Sequence, residues 1–345
     1  MGGDVHDDEP TDLAAAIVSD TSGWEAIDAA LRDVHGDQEP VHVATAIKYA
    51  AGGKDPLDGI SAYRSDHGRP HWHIVSYGLS ELYEKTSQDP STSGWGFELS
   101  FRLTRGPGED RPPAWTLSML QNLARYVFES GKVLEPSHHL NANGPLAHGT
   151  GTALRGLLFV CDPELPAIET SNGRLEFVQA VGVTLDELVA IEAWDGERFA
   201  ELLAARDPLH ITDLARASVL ADPTTAATVA AGTERDGSSM GALTTDHLLA
   251  AGNGHQLELS ISPNVAGYVA RLMRGRLLHD RELTVRARTF EVLFEPAPIA
   301  EWKRDGEALV VDTPPALAHE IADTLQPRTG IYAFRALPGF TIRVL

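Results

Sequence analysis

The sequence predicts a protein of mixed α/β (α+β) class folded as two domains, and three observations carry that prediction. Amphipathic helices with capping signals alternate with β-rich runs through the first 220 residues. The run Gly94-Trp95-Gly96-Phe97-Glu98-Leu99-Ser100-Phe101-Arg102-Leu103 alternates apolar and polar residues, the period of a half-buried strand. Between 221 and 245 the composition shifts to Ala, Thr, Gly, Ser and Asp, as in a linker, and 345 residues is long for one domain.

Taken in order, residues 1–20 read as a flexible acidic tail. Ser22-Gly23-Trp24-Glu25 reads as a capping box, opening a helix whose apolar face is Trp24, Ile27, Leu31 and Val34 and which stops at Gly36. Strands are expected at 41–48, 60–64, 71–77 and 97–103. After Pro112-Pro113 a helix is expected over 116–130, with Leu117, Leu120, Leu123, Ala124, Val127 and Phe128 buried and Gly131 as its C-cap. Strands follow at 154–160 and 175–183, then a capping box Thr184-Leu185-Asp186-Glu187 and helices to about 194 and over 198–205.

These elements define an N-terminal domain over 21–220, a mixed sheet with packed helices. After the linker, 221–245, comes a smaller β-rich α+β domain over 246–345. Its expected elements are a strand at 257–261, a helical stretch into Arg274–His279, β structure over 285–294, a helix opened by Thr313-Pro314, and closing strands at 331–335 and 340–344.

Composition excludes several functions. Lys and Arg total 28 against 49 Asp and Glu, a net charge of −21. So acidic a surface disfavours nucleic acid and anionic membranes and suits a basic partner. The acidic N-terminus lacks the apolar core of a signal peptide, and no apolar run is long enough to span a bilayer. The single cysteine, Cys161, fits a reducing, cytoplasmic setting.

Candidate chemistry is sparse. His71 and His73 sit two apart on an expected strand and so share a face. Such a pair, completed by His138, His139 or His148, could hold a metal in a metal-dependent enzyme, but ordinary strand histidines explain it too, and no metal or other cofactor is assigned. Gly237-Ser238-Ser239-Met240-Gly241 matches the G-x-S-x-G elbow, yet the residues before it are too polar and small for the buried strand an elbow needs. The glycines of 149–156 have neither the spacing nor the Lys-Ser/Thr ending of a phosphate loop. Cys161 has no basic neighbour in sequence to activate it. No catalytic constellation emerges.

Several separated segments do converge on one family. Ala46–Asp58, His71–Ser80, Gly94–Leu103, Leu123–Phe128, Leu175–Val183, Ile211–Asp213, Glu234–Ser239 and Arg274–His279 resemble, in this order, the signature segments of the Suppressor of fused family. The likeness runs over 24–290 and is unclear beyond. No long charged insertion separates the two halves, which resembles the bacterial branch.

The resemblance implies a non-enzymatic protein-binding module with a cleft between its domains. Animal members sequester Gli-type transcription factors, whose short motif adds as an extended strand in that cleft. Tyr126 matches a tyrosine lining it. His138 and Cys161 fall where the animal cleft has acidic residues, so the partner is expected to differ there. Tyr126, His138 and Cys161 are therefore the candidate partner-binding residues. Bacterial relatives resemble immunity proteins of polymorphic toxin systems, which makes toxin neutralisation the expected role, with sequestration of a transcription regulator as the alternative.

Overall fold

The computed structural model describes residues 20–345 apart from 48, 50, 51 and 254, so the expected tail lies, except for Asp20, outside the described residues. The first part of the chain runs α1 (Ser22–His35), β1 (Val41–Ala44), β2 (Gly59–Ser65), β3 (His71–Tyr77), β4 (Thr92–Thr104) and α2 (Ala114–Ser130). It continues through β5 (His139–Asn141), β6 (Leu154–Cys161), β7 (Ile168–Thr170), β8 (Gly173–Thr184), α3 (Leu185–Ala193), α4 (Gly196–Ala204) and α5 (Pro223–Asp236). The rest comprises β9 (Ala242–Thr244), β10 (Leu248–Gly252), β11 (Leu257–Ile261), α6 (Pro263–Leu272), β12 (Leu283–Arg286) and β13 (Glu291–Pro296), then β14 (Glu301–Asp305), β15 (Ala308–Thr313), α7 (Pro315–Thr324), β16 (Gly330–Ala333) and β17 (Phe340–Val344).

β1 to β8 form one mixed sheet in the order β1-β2-β3-β4-β8-β6-β5, with β7 beside β8 and β5 at the end. Among the described residues, only the β4–β8 strand pairing within it is parallel. Helix α2 buries Leu120, Leu123, Ala124 and Val127 on one face, against Phe97, Leu99, Phe101, Leu157 and Phe159. The opposite face carries α1 at one end, through Ile27 and Leu31, and α3 with α4 at the other, through Leu188, Ile191 and Phe199. The C-terminal part forms two further sheets, β10-β11-β17-β16 and β14-β15-β13-β12-β9, around one core into which α6 and α7 pack.

Three readings change. The cap of α1 is Thr21, whose hydroxyl donates to Glu25 Oε1 at 2.8 Å, with Ser22 already helical. β1 ends at Ala44 and covers only half the expected strand. Residues 221–245, expected as a linker, carry α5 and β9; Asp222 caps α5 by accepting from Thr224 N, and Pro223 occupies its first position. The box at Thr184 is present in full, with the Glu187 carboxylate accepting from the Thr184 backbone N–H.

The largest correction concerns β4. Its polar residues do not face water: Glu98, Ser100 and Arg102 are as fully buried as Phe97 to Leu103 between them. Glu98 accepts from Ser76 Oγ at 2.6 Å and from Gly78 N and Ser80 N at 2.9 Å each, and from the Ser80 hydroxyl, so a buried carboxylate is fully solvated by protein. Arg102 makes a bidentate pair with Asp162, 2.7 and 2.9 Å, and reaches Glu164 at 2.9 Å and Gln179. Ser100 Oγ and His73 Nε2 also meet Asp162, at 2.6 and 3.2 Å. The alternation therefore marks two buried faces, one apolar and one polar.

Burial works against the charge on Asp162, but His73 and the Arg102 guanidinium outweigh it and hold the carboxyl far below the usual range. His73 is itself kept neutral, first by burial and then by Arg102, so the guanidinium is the charge that pairs Asp162. A folded-state value below the unfolded one stabilises the fold above about pH 4 and loses that contribution as pH falls further. Asp162→Asn leaves Arg102 without its bidentate charge partner and is expected to cost about 3–5 kcal/mol at neutral pH. Urea unfolding of parent and variant should show that gap, narrowing as the pH is taken below about 4.

Candidate functional site

The two parts of the chain meet along the turn from α3 into α4. Ser238 lies at this junction: its N–H donates to Gly275 O at 2.7 Å and its hydroxyl to Glu192 O at 2.6 Å. Ser239 N–H donates to Trp194 O at 2.7 Å, and the Trp194 indole N–H to Asp236 at 3.0 Å. Arg271 reaches Glu192 at 2.9 Å, and Arg276 donates to Ser238 O at 2.9 Å from the π-helical turn Met273–Leu277. Gly237 sits at φ 66°, which only glycine adopts without strain, and a Cβ there would lie 2.3 Å from Gly275 O. The G-x-S-x-G run is thus a structural joint after a helix: the motif serine, Ser239, is exposed and held through its backbone, while the buried and engaged serine is its neighbour Ser238.

Just past this joint a groove of about 660 Å³ opens, walled by the 132–140 segment, the start of α4 and residues 239–242. Strand β5, the end of its sheet, contributes His139 and Leu140 to the lining, and β9, the end of its own, contributes Ala242 at its start. On β5, His138 O accepts from Phe159 N and Ala142 N donates to Arg155 O, so the even residues face β6. By the alternation of a strand, the backbone N–H and C=O of His139 and Asn141 point to the open side. On β9, Gly241 O accepts from Thr284 N and Thr245 N donates to Arg286 O, so the odd residues face β12 and Ala242 and Thr244 point outward. One groove is therefore bordered by two unpaired strand edges.

Its charged lining is Glu135, Asp195 and Glu197 against Lys132. Asp195 caps α4 by accepting from Arg198 N at 3.0 Å. His138 accepts from Glu135 N at 3.2 Å, with its Nε2 3.5 Å from the Glu135 carboxylate. Burial lowers the His139 pKa and keeps its ring neutral, and its Nδ1 is buried without a partner. Gly196 packs on the β5 approach so closely that a Cβ would lie 2.2 Å from Ser137 O.

Of the three candidate residues, Tyr126 and His138 both line the groove. Cys161 does not; it is exposed at the end of β6, and partial burial with Glu176 and Asp162 nearby pushes its thiol up, away from nucleophilic chemistry. His71 and His73 are buried in the Arg102 cluster, where His73 Nδ1 meets His35 Nε2 at 3.0 Å, separate from His138 and His139. Among the described residues no group of three or more His, Cys, Asp and Glu could hold a metal ion, and no helix is long and apolar enough to cross a membrane.

A sequence model of the family described as Suppressor of fused protein (SUFU) matches residues 53–217, the stretch that holds β4, α2 and β5. Residues 53–217 belong to the Suppressor of fused family. Curated Suppressor of fused homologs of Homo sapiens and Mus musculus are each 38% identical over 237 residues, 63% of this chain. The chain spans about half the length of these relatives, 48%. The crystal structure of Drosophila Suppressor of Fused aligns with a TM-score of 0.77 at 22% identity, covering 94% of this chain and 97% of that one, which shows a shared fold. That coverage reaches past residue 290, where the sequence alone gave no clear match. A Sufu-Fu complex crystal structure aligns with a TM-score of 0.58 at 32% identity, over 61% of this chain and 98% of that one.

The groove depends on α4 sitting tight against the β5 approach. Gly196→Ala is expected to push them apart, lowering the unfolding free energy by about 1–3 kcal/mol in urea titration.

Proposed function

We propose that the protein is a non-enzymatic binding module that captures a partner protein's extended segment as a strand between β5 and β9. The observation that carries this reading is the pair of unpaired strand edges bordering one groove. A peptide laid there satisfies the outward backbone groups of His139 and Asn141 on one side and of Ala242 and Thr244 on the other. Its backbone hydrogen bonds would supply affinity and the groove lining selectivity. The match to a Sufu-Fu complex structure supports protein binding as the general activity. As part of this proposal, a 21–220 domain and a 246–345 domain are joined beside the groove by 221–245, which carries α5 and β9, the strand that pairs with β12.

The partner we propose is a basic protein, a toxin of a bacterial polymorphic system neutralised in the cytoplasm. Support comes from charge: −21 over the chain, and three carboxylates against one lysine in the groove. Complementary fields speed encounter and penalise acidic competitors.

Proline tests strand capture cleanly. At Thr244, whose N–H faces the open side, it removes a donor to the incoming strand while leaving the β12 pairing intact. Thr244→Pro and Tyr126→Ala should each weaken a co-purified partner about tenfold or more with folding unchanged by circular dichroism. Unaltered affinity in both would place the interface elsewhere. The toxin assignment has a separate readout: expressing the chain should rescue cells from the toxin-like product of a neighbouring gene, and failure of rescue with every such candidate would remove it.

A further inference from the structure

A second cavity, of about 600 Å³, continues the groove along β5 and shares Tyr126 and Leu140 with it. Its walls are largely apolar: Trp115, Met119 and Leu123 from the face of α2 that also carries Tyr126, and Leu146 and Leu157 opposite. The two cavities sit differently with respect to the sheet. Leu140 and its pair Leu157 belong to the core under α2, whereas Leu158, the pair of His139, belongs to the core under α3 and α4. Asp195 and Glu197 begin α4, the helix on that second face.

A strand added to β5 continues the pleat, so its successive side chains turn to the two faces in alternation. Opposite Leu140 a side chain enters the apolar cavity beneath Tyr126. Its immediate neighbours turn to the side where α4 begins with two carboxylates. We propose that the groove reads an alternating motif, a large apolar or aromatic residue flanked directly by Lys or Arg, so that one residue fills the α2 cavity while the next meets Asp195 and Glu197. This rests on strand capture between β5 and β9 and specifies which strand is captured. Charge complementarity and continuity of the apolar cavity with the groove both favour this occupant. An apolar strand would leave the carboxylates facing it unpaired, and an all-basic one would leave the cavity unfilled.

The test is selection of a phage-displayed library of random linear peptides on the full chain, followed by affinity measurement of the enriched peptides. Enriched sequences should place a large apolar residue next to Lys or Arg. Glu197→Lys, which keeps the Asp195 cap, should weaken them about tenfold and reduce their salt dependence. Met119→Gln, at a half-buried position of α2 that lines the cavity, should weaken them to a similar degree with the fold retained by circular dichroism. Peptides that lose affinity on Thr244→Pro but show no such alternation, or are indifferent to both variants, would overturn the motif and leave strand capture standing. Peptides indifferent to Thr244→Pro as well would overturn strand capture and the motif with it.

Discussion

A guanidinium in the middle of a sheet is tolerable only when its charge is paired, and this fold is organised around pairing Arg102, whose two terminal nitrogens are engaged while its Nε is buried without a partner. The residues of this cluster come from distant places: His73 on β3, Ser100 on β4, Asp162 and Glu164 just after β6, and Gln179 on β8. Gln179 passes the constraint on, donating to Leu209 O and His210 O at 3.0 and 3.1 Å. Because Asp162 directly follows β6, the pairing fixes where β6 ends. Strand β5 hangs on the other edge of β6, so the position of one groove wall descends from a buried ion pair well inside the sheet.

The long elements were legible because their burial is asymmetric in a way the sequence records. The stripe of α2, Leu120, Leu123, Ala124 and Val127, repeats at helical spacing because only one side of it meets the sheet. In β4 the same logic misleads. Alternation reports which residues share a face and says nothing of whether the polar face meets water or a second layer of partners. Glu98 and Arg102 look like solvent residues until Ser80 and Asp162 are seen closing over them.

What could not be read were the groove walls. His139-Leu140-Asn141 and Ala242-Leu243-Thr244 are too short to show a period, and each is held by pairing on one side only. Their strand character comes from β6 and β12, at long range. Helix α5 was a different failure: Asp222-Pro223 is a serviceable start signal, obscured by the small residues that follow it. Those residues have a packing reason. Gly232 sits against the Trp194 indole, where a Cβ would fall 2.3 Å from the ring, so a low-complexity appearance conceals a close-packed joint. Among the residues lining the groove, Tyr126 and His138 were accessible through family likeness, whereas Asp195 and Glu197 carry no mark beyond a helix start.

The arrangement also answers a problem that unpaired edges create. A free strand edge invites pairing with any other edge, which is a route to aggregation. Here both edges border a single groove, opposite one another, with α4 and the 132–138 segment closing around them. A sheet cannot enter such a space, because its neighbouring strands would collide with those walls. One extended segment can, and it finds donors and acceptors on both sides of its backbone. On the proposed mode of capture, recessing two edges against each other turns a liability into a selection rule that an overall charge of −21 could not impose: the ligand would be a single strand, free to leave its own fold.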